Sequence, residues 1–457
     1  MSLQTPPKIR SLQRKLYEKA KRERELRFYL LYDKVYREDI LEHAYKLCRA
    51  NDGAPGVDGV KFEDIEEEGL EGWLAKLKEE LHEKTYRPAP VRRKMIPKEN
   101  GDGERPLGIP TICDRVVQMA VKLVLEPIFE ADFEDSAYGY RPRRSAQQAV
   151  RKVHEALKEG YTDVVDADLS KYFDTIPHSE LLQSVARRVV DRNILSLIQG
   201  WLKAPVEERD EQGNRRMSGG KSATKGTPQG GVISPLLANI YMHRYLRAWT
   251  QKGKAAEFRA RIINYADDFV ILSRGKAKQA LEWTKDVMNR IGLKLNETKT
   301  CLREARRENF NFLGYTFGPT TNPLDGHRYL GAEPSEKSIQ RIKDRIDKIL
   351  RPGNQKPWEE VARRLGRTLR GWANYFNYGG LRRAYRAVEW HVDESARHFL
   401  RRRHKVIGQG SRRFSTKWIF NSMGFGRLSE LHVKSAAWAH RETSRRAGCG
   451  KTARPVR

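Results

Sequence analysis

Apolar positions along this 457-residue chain follow two different periods, and the switch between them outlines its architecture. Residues 8–50 read as two charged, sparsely apolar helices, ended by the turn-rich stretch NDGAPGVDG at 51–59. Leu70, Leu74, Leu77 and Leu81 recur at helical spacing and predict a helix over 61–85. Residues 86–112 are punctuated by proline and read as extended, and 113–135 as helical. Strands are predicted at 163–169 and as a hairpin over 262–272, with helices at 179–203, 234–249 and 276–291. This mixture predicts an α+β fold with helices on one side of an antiparallel sheet. After Pro334 the pattern becomes all-helical. Ile339, Ile342, Ile346 and Ile349 make one stripe, and further helices are predicted near 358–376 and 383–403. Beyond 404 the chain is basic, with Trp418 and Trp438 interleaved.

Charge sharpens this picture. The formal net charge is +29, which predicts a polyanionic partner, and nucleic acid is the usual one. From Lys337 onward lie 30 of the 88 Lys and Arg but only 9 of the 59 acidic residues, a net of +21 against +8 for the rest. A catalytic body followed by a basic binding extension is the natural reading. Cys48, Cys113, Cys301 and Cys449 are scattered without a CxxC pair, which argues against a disulfide framework or a four-cysteine zinc site and fits a reducing compartment. No apolar run reaches the length of a membrane span, and the basic N-terminus lacks the apolar core of a signal peptide.

The richest chemistry lies in Tyr265-Ala266-Asp267-Asp268, a hairpin tip carrying adjacent carboxylates. Such neighbours repel, and a fold tolerates them more easily with a cation between them. Upstream, the strand at 163–169 puts Asp166 and Asp168 on one face. Asp168 with Asp267 and Asp268 could hold two Mg²⁺ ions, as nucleotidyl transfer requires. Phe173 follows five residues later, where a ring packed under a sugar would reject a 2′-hydroxyl; as an isolated residue it reads more readily as ordinary core.

Four further stretches carry weaker signals. In KGTPQGGVISP (225–235), Gln229 offers donors and an acceptor to a templating nucleotide, and Gly230 and Gly231 allow close backbone approach. Ser234 is expected to cap the helix that Pro235 opens. Lys98 and Arg105, near a Pro-rich bend, could clamp a triphosphate, although an isolated cation pair is more often solvated surface. Lys299 could protonate departing pyrophosphate. Phe312-Leu313-Gly314 forms a short apolar turn that could hold a primer end or simply pack as core. Gly219-Gly220-Lys221-Ser222 mimics a phosphate-binding loop but has Arg215 where that motif needs glycine.

No single stretch decides the matter; their order does. Basic clamp, acidic strand, Gln-Gly-Gly loop, YADD hairpin, lysine and FLG turn together resemble the sequence blocks of reverse transcriptases, specifically those encoded by group II introns. NDGAPGVDG resembles that family's N-terminal extension, KGTPQGGVISPLLAN (225–239) its fourth block, and GWANYF (371–376) the hallmark of its maturase, or X, domain. The resemblance implies a right-hand polymerase: an N-terminal extension at 1–60, fingers and palm with an antiparallel palm sheet at 61–330, an all-α thumb/maturase domain at 331–403 and a basic DNA-binding region at 404–457. It implies Asp168, Asp267 and Asp268 as catalytic carboxylates, with Leu169 beside them in the metal site for two Mg²⁺ ions, or Mn²⁺ in their place. It implies Lys98, Arg105, Phe173, Gln229 and Lys299 at the dNTP, and Gly230, Gly231, Phe312, Leu313 and Gly314 at template and primer.

The implied partners are the chain's own group II intron RNA, a DNA target and primer, and dNTPs, in a bacterial cytoplasm and on the nucleoid when target DNA is bound. The implied activity is RNA-directed DNA synthesis, joined to help in splicing and to intron mobility. A stand-alone, domesticated or defence-associated relative acting in repair or spacer capture is the alternative, and an RNA-binding splicing factor with a dead polymerase a third. The tail shows no His-Asn-His spacing or paired cysteines, so no second-strand endonuclease is expected and the primer would come from elsewhere, such as a nascent strand.

Overall fold

Eleven strands form among the described residues of the computed structural model, which are 3–97, 103–209, 212, 214–321 and 326–431. Lys98, Trp438 and Cys449 lie outside them. The strands are β1 (Val91–Pro97), β2 (Glu104–Ile109), β3 (Asp163–Asp168), β4 (Pro205–Arg209), β5 (Arg215–Gly219), β6 (Ala260–Tyr265), β7 (Asp268–Ser273), β8 (Cys301–Glu304), β9 (Phe310–Phe312), β10 (Tyr315–Thr321) and β11 (Arg328–Pro334). The chain divides into two units, Met1–Ala149 with Asp163–Leu302, and Val150–Thr162 with Arg303–Arg457.

The first unit is built around the helix Ile112–Glu130. Its sequence is apolar nearly all round, so it is buried nearly all round, between helices Pro7–Arg22 and Glu38–Asn51. Thr111 opens it, its Oγ1 accepting from the Asp114 amide at 3.1 Å. Two sheets flank this core. One has the order β2-β1-β4-β5, and the other, β6-β7-β3-β8, carries the acidic residues. In the latter, β6, β7 and β3 run antiparallel. Every residue of β7 after Asp268 is buried, and Phe269 to Leu272 form an unbroken apolar run.

The second unit opens with the antiparallel meander β9-β10-β11 and continues into helices Glu336–Ile349, Trp358–Tyr375, Arg382–Arg403 and Thr416–Ser422. Of the isoleucine stripe, Ile342, Ile346 and Ile349 are buried.

The α+β class holds, with corrections. The helix predicted over 61–85 is two, broken at Gly69, whose φ of +107° and ψ of 98° no helix accepts. The one predicted over 179–203 is also two, because Asp191 caps a new start at Arg192 by accepting from the Asn193 and Ile194 amides. Ser234 is not the cap expected; it sits inside the first turn and its Oγ donates to the Pro228 carbonyl at 2.9 Å. Strands β4 and β5 and the meander were not predicted, and β4 runs parallel to β1, so that sheet is mixed. Trp372 and Trp390 fall in the predicted helices 358–376 and 383–403 and so read from sequence as helical core; Trp372 is buried, but Trp390 is 64% exposed.

Candidate active site

Pairing register assembles the acidic cluster. β3 and β7 are neighbours, and Asp168 lies directly opposite Asp268. On the other side of β7, Tyr265 pairs with Asp268 and closes a two-residue turn of Ala266 and Asp267. Ala266 has a φ of +59°, a conformation that costs a residue with a Cβ about 1 kcal/mol or more. The turn is therefore held from several sides. Asn264 Nδ2 donates to the Ala266 carbonyl at 2.8 Å.

Beneath it runs residues 136–140, a segment the sequence reading passed over. The Tyr138 amide donates to the Asn264 carbonyl, and the Asn264 amide to the Ser136 carbonyl, each at 2.8 Å. A Cβ on Gly139 would lie 2.4 Å from the Ala266 nitrogen, so only glycine fits there. Arg141 anchors the segment. Its guanidinium donates to the Glu134 and Ala137 carbonyls at 2.6 and 2.8 Å, and its Nη2 bonds Glu130 at 2.7 Å, with the Arg141 side chain 4% exposed.

The end of β3 is fixed by the stretch carrying Lys299. The Asn296 amide donates to the Asp168 carbonyl at 2.8 Å, the Ser170 amide to the Lys294 carbonyl at 3.0 Å, and Leu169, buried, bridges Leu295. Asp168 itself faces Lys299, with Nζ 3.0 Å from Oδ2, and Asn296 Nδ2 approaches the same oxygen at 3.2 Å.

The electrostatics follow from this crowding. Exclusion of bulk water pushes the Asp268 carboxyl up to about 7, and the charges of Asp267, Asp168 and Asp166 add to it while Lys299 opposes them. Asp268 is nevertheless open to solvent on one side, so water screens part of this effect. Asp267 moves upward for the same reason, burial first and the charge of Asp168 after it. Lys299 is raised, chiefly by its hydrogen bond to Asp168.

The Gln-Gly-Gly loop is tied to the Phe173-Asp174 stretch. The Thr227 amide donates to the Phe173 carbonyl at 2.7 Å, and Gln229 hydrogen-bonds Asp174, whose carboxyl burial pushes upward. The Gln229 carbonyl accepts from the Gly108 amide at 2.6 Å, tying the loop to β2, the strand of Arg105. A Cβ on Gly230 would lie 2.2 Å from the Gly108 carbonyl, and one on Gly231 2.7 Å from Ser234 Oγ. Close approach is indeed what these glycines permit, and here it is to β2 and to Ser234.

Tyr140, missed in the sequence, joins the groups. It is 48% exposed at a φ of +56°, and its ring meets Phe173 edge-on at 6.4 Å. Burial raises its hydroxyl, with the charges of Asp267 and Asp268 adding and Arg105 opposing. Nothing in the composition of SAYGYRP signals this; the contact depends on the fold.

Phe312, Leu313 and Gly314 belong to the second unit. Phe312 is buried, and Leu313 and Gly314, with φ of +50° and +78°, form the turn between β9 and β10. The Gly314 carbonyl accepts from Ser338 Oγ at 2.9 Å and the Leu313 carbonyl from Tyr375 Oη at 3.0 Å. The turn is thus locked to the helix that carries GWANYF.

Among the described residues, no three acidic, histidine or cysteine side chains are gathered tightly enough to hold a metal ion as they stand. The donor set still fits a hard divalent cation: carboxylates only, two of them opposite each other in register, in a cluster whose repulsion a cation would relieve.

An antiparallel sheet with carboxylates converging from a strand and a hairpin defines a nucleotide polymerase palm. Comparison with known proteins makes this specific. Residues 96–317 match the family model described as reverse transcriptase (RNA-dependent DNA polymerase), and residues 339–418 the model described as group II intron, maturase-specific domain. Protein YkfC of Escherichia coli K12 is 35% identical over 367 residues, 72% of this chain and 93% of that one. The group II intron-encoded protein LtrA of Lactococcus lactis is 30% identical over 350 residues, 63% of this chain and 56% of LtrA, so the match spans little more than half of that relative. An uncharacterised 91 kDa protein in the cob intron of Schizosaccharomyces pombe is 26% identical over 348 residues. The chain belongs to the group II intron reverse transcriptase/maturase family, and its enzyme class is RNA-directed DNA polymerase. No described helix is long and apolar enough to cross a membrane.

Two outcomes are expected. Arg141→Met leaves Glu130 unpaired beneath the hairpin and should cost about 3–5 kcal/mol in denaturant unfolding. The second concerns pH. Asp268 is raised when folded, so the stability it contributes is present near pH 4 and lost as pH rises through about 7. In metal-free buffer Asp268→Asn should therefore melt higher than the parent at pH 8, with the gap closing toward pH 4; a gap that widens on acidification would contradict the assignment.

Proposed function

We propose that this chain copies RNA into DNA, binds the RNA of its own group II intron, assists its splicing and supports its mobility. The observation that carries the reading is Asp168 opposite Asp268 in a chain that also matches the maturase-specific domain. On this reading 61–330 are fingers and palm, 331–403 the thumb/maturase domain and 404–457 a DNA-binding region. The partners are intron RNA, target DNA with its primer, and dNTPs.

In the mechanism, Asp168, Asp267 and Asp268 would hold Mg²⁺, with Leu169 next to Asp168 in the chain. Bound Mg²⁺ supplies Lewis-acid stabilisation of the attacking 3′ oxygen and of the departing phosphate oxygens. Arg105, with Lys98, grips the triphosphate and neutralises its charge. Phe173 stands under the sugar and leaves no room for a 2′-hydroxyl. Gln229 and the glycines after it shape the template side. Lys299, protonated at Nζ, leaves Asp168 and donates its proton to the pyrophosphate.

The test is primer extension on an RNA template. Asp267→Ala with Asp268→Ala should abolish dNTP incorporation while intron RNA binding and splicing assistance persist; loss of all three together would contradict the division of labour. Phe173→Ala should raise ribonucleotide incorporation relative to deoxyribonucleotide by about tenfold or more, read as the ratio of kcat/KM values. An unchanged ratio would remove Phe173 from the sugar site.

A further inference from the structure

The second unit contains a cavity of about 630 Å³ with no part in the acidic cluster. It lies between helix Trp358–Tyr375 and the short helix Thr416–Ser422, which begins at the end of the matched maturase segment. Trp358 and Trp418 form its aromatic wall, their rings stacked at 5.9 Å and 14°. Trp358 is buried and fixed by an Nε1 hydrogen bond to Ser422 Oγ at 3.1 Å. Trp418 is set by Ser415, which accepts from its amide at 3.3 Å, and is flanked by Phe414 at 5.6 Å. Even so, 42% of Trp418 stays exposed. Arg363 and Arg370 line the same cavity, as does Asn421, with Glu359 also on its wall.

An indole backed by a second indole is a rigid stacking platform, and two guanidiniums beside it supply phosphate contacts in planar, bidentate form. The amide of Asn421 adds donors and an acceptor for a base edge. Few ligands want all three. The size lies within the range of small-ligand sites, about 300–1,000 Å³.

We propose that this cavity takes one unpaired nucleotide of a single-stranded nucleic acid, its base stacked on Trp418 and its phosphate held by Arg363 and Arg370. The proposal rests on the nucleic-acid reading above and names a place where the second unit would engage a strand. It concerns base stacking, which a basic surface alone does not provide.

The experiment uses the full chain and fluorescence anisotropy with a short single strand, as RNA, as DNA of the same sequence, and as an abasic strand of equal length. Trp418→Ala should weaken binding of the base-bearing strand about tenfold and leave the abasic strand unchanged. Trp418→Phe, which keeps a ring, should retain most of the affinity. Arg363→Glu, at an exposed position on its helix, should weaken all strands and lower the salt dependence of log K by about one. The RNA and DNA arms identify which strand is taken, by the larger loss. Parent-like binding of the base-bearing strand by either Trp418→Ala or Arg363→Glu, or an equal loss on the abasic strand for Trp418→Ala, would overturn the proposal. If the parent itself fails to bind intron RNA, the maturase reading falls instead; if the parent binds and the variants match it, only the pocket falls.

Discussion

Everything in the first unit depends on one register, that of β3 against β7. A slip of one residue would take Asp168 away from Asp268 and turn its carboxylate to the opposite face of the sheet. The register is fixed by burial. Val164, Val165 and Ala167 on β3, and Phe269 to Leu272 on β7, are all buried, and no shifted pairing would keep so much apolar surface dry while leaving the acids at the end. At about 1.5–3 kcal/mol for each large side chain buried, the apolar part of these strands pins the polar part.

The hairpin tip is the opposite case, a place where local preference is overruled. Ala266 at positive φ and two adjacent carboxylates would not choose this arrangement in a free peptide. The segment 136–141 imposes it, through a backbone pairing with Asn264, a glycine that admits the turn, and an arginine buried against Glu130. Strain at the catalytic end is thus balanced by well-made hydrogen bonds one layer below, which gives the short, unremarkable stretch SAYGYRP a structural weight that its composition hides.

How much of this was legible in the sequence depends on the distance over which each feature is determined. The acidic strand and hairpin announced themselves because β-branched runs and a turn are local signals, and the long apolar helix Ile112–Glu130 did so for the same reason. The sheet neighbours did not. β5 (RRMSG) is charged and small, β9 is three residues long, and β10 contains Gly318 and Pro319; each is a strand because a partner lies beside it, not because its residues favour one. Gly69 and Asp191 end and start helices inside what reads as one periodic segment, since a single residue's capping is invisible to a period. Trp390 read as core because it lies in a predicted helix, but a helix has a solvent face as well as a buried one, and Trp390 is exposed. The contact between Tyr140 and Phe173 is beyond any pattern, because it joins residues on separate elements.

The pairing of Lys299 with Asp168 shows what the acidic cluster needs. Burial moves Asp268 toward neutrality, and the charges of Asp267, Asp168 and Asp166 push it further the same way. One cation, borne by the loop that also clamps the end of β3, offsets part of this at a single oxygen. It cannot offset the rest, since one ammonium sits against one carboxylate and the others remain crowded. A divalent ion carries twice the charge in a smaller radius and can accept oxygen donors from several carboxylates at once, so it should win Asp168 from the lysine. On the proposed mechanism, a Lys299 freed from Asp168 would be a protonated amine available to the leaving group. The crowding that makes the metal-free cluster costly is also what would draw a divalent cation to it.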